Sequence, residues 1–215
     1  MASGTTKPSK HQRGKVDSFA GALTKKGIKL LAVDFDKTLI DIHSRGVWDD
    51  GLSKLASHVR PCMRDMLEAA IHKGVFVAIV TYHRQDWLIK ELLQKILPKK
   101  VAKQIYVQAN TAEFLQRQRA EARGSSNDQT QGASEVGGIL RFIGPDWKGK
   151  EAHISSVIAE ISNDHKVTVK KEEILLMDDD IDNIRIAITC GHLAFQVQET
   201  VDYDSFDSFQ TMLLL

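Results

Sequence analysis

The stretch IKLLAVDFDKT, residues 28–38, is a short apolar run that ends in two aspartates, a lysine and a threonine. A run this short with almost no polar interruption has the pattern of a strand covered on both faces. Asp34 and Asp36 then stand two residues apart, so both carboxylates leave the strand on one side, close enough to share a cation. Residues 75–80 (VFVAIV) repeat the pattern and end at Thr81, followed by Tyr82, His83 and Arg84. Residues 104–108, 174–177 and 193–197 are weaker copies, and the fourth of these five runs ends in Asp178, Asp179 and Asp180, with Asp182 and Asn183 beyond.

Helical stripes alternate with these runs. Met63, Met66, Leu67, Ala70 and Ile71 follow the spacing of one helix face, with Pro61 suited to the opening turn and Gly74 to the stop. Leu88, Ile89, Leu92, Leu93 and Ile96 form a second stripe, and Ile154, Val157, Ile158 and Ile161 a third. Ile184, Ala187 and Ile188 form a short fourth. Alternation of this kind predicts a three-layer α/β fold of Rossmann-like type, with helices on both faces of a central parallel sheet. In such sheets ligands bind beyond the carboxyl ends of the strands. Asp34, Asp36, Thr81 and Asp178–Asp180 all fall there.

Length and composition leave room for little else. A chain of 215 residues, 42% hydrophobic and 27% charged, fits one domain with a small insertion and excludes collagen-like or wholly disordered architecture. Lys and Arg total 29 against 28 Asp and Glu, a formal charge of +1, so no global field draws the chain to nucleic acid or to an anionic membrane. No apolar run approaches the roughly 20 residues of a spanning helix, and the Lys-rich amino terminus lacks the core of a signal peptide. Cys62 and Cys190 are too few for a disulfide framework and read as core thiols. A cytoplasmic protein is expected, with the nucleus as the other compartment open to it. By composition, residues 1–24 are expected to form a disordered tail and residues 117–138 a flexible polar loop inside a domain spanning 25–215.

The acids at the strand ends define a chemistry. Clustered carboxylates need a cation or a proton to relieve their repulsion, and hard oxygen donors suit Mg²⁺, which completes its shell with water and substrate phosphate. One carboxylate can attack phosphorus, a second can protonate the leaving oxygen, and a hydroxyl and an ammonium can hold the phosphoryl oxygens. Lys148 and Lys150, before the third helical stripe, both qualify for the last role.

DFDKT after a first strand, Thr81 after a second, a lysine before a helix, and DDDIDN after a later strand resemble the haloacid dehalogenase superfamily in its phosphatase, DxDxT branch. The segments GKEAHI (149–154) and ILLMDDDIDNI (174–184) are most similar to its magnesium-dependent phosphatase-1 group. The resemblance implies an Mg²⁺-dependent phosphomonoester hydrolase in which Asp34 becomes an aspartyl phosphate and Asp36 is the general acid and base. It implies phosphoryl binding by Thr81 and Lys150. His83 and Arg84, in the loop after Thr81, read either as further substrate contacts or as a polar helix entry. Mg²⁺ would be held by Asp34, by the backbone carbonyl of Asp36 and by Asp179, with Asp178 and Asn183 in support. The three consecutive aspartates leave Asp178 and Asp180 open as the direct ligand. Lys148 remains open beside Lys150. The chain has no room for a large cap between Thr38 and Thr81, so an essentially capless site is expected, with the loop 41–51, carrying His43, Arg45 and Trp48, as a small flap. Such a site would accept a phosphoprotein or a phosphorylated small molecule, the latter covered by a partner subunit if the chain oligomerises.

Blander readings stand beside these. Asp180 and Asp182 suit solvated loop positions, His153 a structural role, Trp48 an anchor for its loop, and residues 203–209 a packed or fraying end. The histidines have no zinc-binding spacing. Residues 144–151 (GPDWKGKE) match a phosphate-binding P-loop in all but the last residue, where Glu151 replaces the hydroxyl that ligates Mg²⁺. A nucleotide hydrolase or kinase is therefore one rival, and a phosphatase-like fold kept as a non-catalytic binding module is another.

Overall fold

The computed structural model describes residues 8–125 and 149–215. Five strands, β1 (Leu30–Val33), β2 (Phe76–Thr81), β3 (Ile105–Ala109), β4 (Ile174–Asp178) and β5 (Leu193–Gln196), form one sheet in the order β3-β2-β1-β4-β5. Every neighbouring pair is parallel. The chain runs outward from β1 to β3, then returns to place β4 on the other side of β1. That reversal makes a crevice at the carboxyl ends of β1 and β4, which is where open parallel sheets bind ligands.

Alternate residues of each central strand feed two separate cores. Leu31, Val33, Val77, Ile79, Leu175 and Met177 face one layer, and Leu30, Ala32, Ala78, Val80, Ile174 and Leu176 the other. The first layer holds α1 (Lys10–Lys26), α3 (Pro61–His72), α4 (Asp86–Ile96), α5 (Lys99–Ala102) and α9 (Ser205–Leu214); α2 (Leu52–Ser57) adds Leu55 to it. The second layer is built on α7 (Glu151–His165), with Ala187 of α8 (Ile181–Thr189). The helix α6 (Ala112–Ser125) follows β3. The three-layer parallel architecture expected from the strand and helix alternation is present. Among the described residues no helix is long and apolar enough to cross a membrane.

Three expectations require correction. Residues 10–24 belong to a helix, α1, opened by a capping box between Ser9 and Gln12 and closed by Gly27 at φ 88°. Val16, Phe19, Ala20 and Leu23 fall at i, i+3, i+4 and i+7 and are all buried. Phe19 packs on Phe206 and Phe209 of α9, with ring centroids 5.3 and 6.2 Å apart. This burial is what a mean composition concealed; residues 1–7 lie outside the described residues. Second, the loop expected from 117 begins later, because α6 continues through Ser125. The rest of 117–138, the apolar run 139–143 and Lys148 lie outside the described residues. Third, Cys190 is only half-buried, while Cys62 is a core thiol as expected.

Between Thr38 and Thr81 there are only the loop 41–51, α2, α3 and the strand itself. Trp48 packs against the first core and donates its indole N–H to the Gly51 carbonyl at 3.0 Å, so it anchors that loop.

Candidate active site

The end of β1 turns sharply. Asp34 still donates its backbone N–H to the Met177 carbonyl of β4 at 2.9 Å, after which residues 35–39 form a wide turn in which Lys37 takes φ 56°. The turn sends the two carboxylates to different surroundings. Asp34 is 5% exposed and accepts a hydrogen bond from Lys150 Nζ at 2.6 Å. Asp36 instead meets the loop 41–51: its Oδ2 accepts from Ser44 Oγ at 2.9 Å and lies 2.7 Å from His43 Nδ1. Asp36 Oδ1 is buried and has no hydrogen-bond partner among the described residues.

The end of β4 supplies the remaining acids. Asp178 is 1% exposed; its Oδ1 accepts the Asp180 N–H at 2.9 Å and its Oδ2 the Asn183 amide at 3.0 Å. Asp180 caps α8 by accepting the Asp182 N–H, which fits the loop role read for it. Lys150, buried at the start of α7, lies 3.9 Å from Asp178 Oδ2 and 3.9 Å from the centre of the Tyr82 ring. Gly149, at φ 54°, lets α7 begin hard against Ile186, whose side chain lies 3.1 Å from where a β-carbon would stand. Thr81 is buried at the end of β2, its Oγ1 accepting the His83 N–H at 3.1 Å.

Ligand oxygens of Asp34, Asp178 and Asp179 all lie within 4.8 Å of one another. Burial raises the Asp34 carboxyl above the ordinary carboxylate range, against the pull of Lys150. Burial and then the Asp34 charge raise Asp178, and burial and then the Asp178 charge raise Asp179. Lys150 counters Asp34 and Asp178 and Lys37 counters Asp179, yet burial and mutual repulsion prevail at all three. A hard divalent cation fits this donor set. Both oxygens of Asp178 are already engaged, whereas the Asp179 carboxylate takes no side-chain hydrogen bond among the described residues. The Asp36 carboxylate stands outside the cluster.

These groups line a cavity of about 820 Å³, together with Arg45, Arg84, Asn110 and Leu115. His83 borders it but is 1% exposed, with its ring edge against Phe35 and its Nδ1 accepting the Gln85 N–H, which makes it chiefly a wall. His153 is buried, stacked on Phe114 and held 2.9 Å from Asn110 Oδ1; burial and then Lys150 lower it to about 3, so it is neutral and structural. Sequence reading passed over Ser44 and named Tyr82 after Thr81 without a role, since only the folded loops bring them to Asp36 and Lys150.

Gly149, Lys150 and Glu151 are the described residues of the P-loop match, and the last two face protein groups. Lys150 points to Asp34, and Glu151 turns away to His192, 3.1 Å from its Nε2. Residues 144–148 lie outside the described residues. No family model and no curated protein matches this chain.

Proposed function

We propose that the protein hydrolyses phosphate monoesters through an aspartyl phosphate on Asp34, with Mg²⁺, as the likeness to the haloacid dehalogenase phosphatases implies. The observation that carries this reading is the pairing of a buried Asp34 with Lys150 beside two further acids, at the mouth of a cavity on the sheet's crevice.

Asp34, Asp179 and Asp178 would hold the metal, which when bound screens the repulsion between carboxylate and phosphate and neutralises charge on the phosphoryl oxygens. An Asp34 oxygen attacks phosphorus and forms the P–O bond as the bond to the leaving oxygen breaks. The proton for that oxygen comes from Asp36, whose carboxyl is oriented by His43 and Ser44 at Oδ2. Asp36 then removes a proton from water, which attacks phosphorus, releases phosphate and restores Asp34. Lys150 and Thr81 hold the equatorial oxygens as charge moves through them.

Asp34→Asn tests the nucleophile. Turnover of a generic phosphate ester is expected to vanish with the circular dichroism spectrum unchanged; full metal-dependent activity in that variant would refute the assignment. A non-catalytic binding module is the weaker reading, because Asp34 and Asp36 are both present and differently prepared.

A further inference from the structure

Two arginines that line the cavity form no ion pair among the described residues. Arg13, Arg64 and Arg185 pair with carboxylates and Arg60 donates to two backbone carbonyls. Arg45 and Arg84 are exposed residues that line the cavity, and their side chains form no hydrogen bond or ion pair among the described residues.

Their backbones, by contrast, are fixed. The Arg84 N–H donates to the Gly46 carbonyl at 2.8 Å, and the Trp48 N–H donates to Gln85 Oε1 at 2.6 Å, so the loop 41–51 and the turn after β2 are tied at two points. The same loop is tied to the site's floor through Ser44, which receives the Gly46 N–H at 3.3 Å and donates to Asp36. Arg45 sits at the bend with φ 59°, a conformation that residues with side chains seldom adopt and that concentrates at binding sites. Two cations on two braced loops thus share one small-molecule-sized cavity with the acidic cluster.

We infer that the phosphate ester accepted here carries a second anionic group, a phosphate or a carboxylate, which Arg45 and Arg84 hold while the scissile phosphate meets Asp34. This rests on the phosphatase reading above and extends it to a substrate class. Arginine forks suit either anion through paired N–H donors.

Matched substrates test it on the full chain with Mg²⁺: glucose 1,6-bisphosphate against glucose 6-phosphate, and 3-phosphoglycerate against glycerol 3-phosphate. In at least one pair the second anion is expected to raise kcat/KM roughly tenfold or more, mainly through KM, as charge-assisted hydrogen bonds of ordinary strength would give. The pair that responds tells phosphate from carboxylate. In Arg45→Ala/Arg84→Ala that ratio is expected to fall toward one. Equal rates within both pairs, a ratio that survives the double substitution, or a phosphopeptide with neutral flanks preferred over every small ester would overturn the inference. The same pairs titrated calorimetrically into Asp34→Asn, with and without the arginine substitutions, give a readout free of turnover. Arginine-dependent discrimination in binding, with no ester hydrolysed by the unaltered protein, would sink the phosphatase reading and keep this one. Absent discrimination with hydrolysis intact would sink this one alone.

Discussion

Asp36 has two unlike oxygens, one fixed by His43 and Ser44 and one buried without a hydrogen-bond partner among the described residues. Asp36→Asn keeps the shape and removes the transferable proton, so kcat is expected to fall by about 10²- to 10⁴-fold, the usual worth of a placed acid or base. An unchanged rate would count against the role. A second residue-scale prediction concerns stability. His192 Nδ1 lies 2.9 Å from the Lys171 carbonyl and Nε2 3.1 Å from Glu151 Oε2, so both nitrogens face acceptors and both must carry hydrogen. Burial opposes that charge, but Glu151 and the carbonyl outweigh it and raise the imidazole above its ordinary value. A raised folded value means the pair's stabilisation is complete below the unfolded value, about 6.5, and fades as pH climbs through the folded one. Glu151→Gln is therefore expected to lower Tm more at pH 6 than at pH 9; equal losses at both pH values would contradict the ion pair. Asp34 and Thr81 were legible in the sequence because they end apolar runs of clear period, and Lys150 through the resemblance carried by GKEAHI, with Lys148 left open beside it. His43 was noticed only as part of a flap, and Ser44 and the Glu151–His192 pair were not seen, since their contacts depend on loop paths and on residues 41 positions apart.

Among the elements, α1 is where composition misleads most. Its many polar residues read as an unfolded tail, yet four apolar ones at helical spacing are buried in the core, Phe19 against Phe206 of α9. Phe19→Ala, which empties the centre of that contact, is expected to destabilise the fold by about 3 to 5 kcal/mol, measured by urea unfolding. A change under about 1 kcal/mol, the level of an exposed position, would contradict the packing. The strands were legible within one or two residues, because runs apolar on both faces have few other readings. The end at residues 203–209 was read as packed or fraying; it is the start of α9, whose Phe206, Phe209 and Leu213 are buried.

At the scale of the molecule, the order β3-β2-β1-β4-β5 brings together residues far apart in the chain. Periodicity identified the strands but carries no information on their order; the crevice between β1 and β4 appears only with the return crossover. It gathers Asp34, Asp178 and Asp179 around a place that asks for a cation. Removal of divalent metal by a chelator is expected to abolish hydrolysis and Mg²⁺ to restore it, followed by release of phosphate; activity that persists through chelation would oppose a role for metal. The most direct measurement is acid quenching of the protein during turnover of a phosphate ester, with mass analysis of its peptides. The expected result is one phosphoryl group on the peptide that contains Asp34, lost in Asp34→Asn. A phosphoryl group on any other residue, retained in Asp34→Asn, would contradict it.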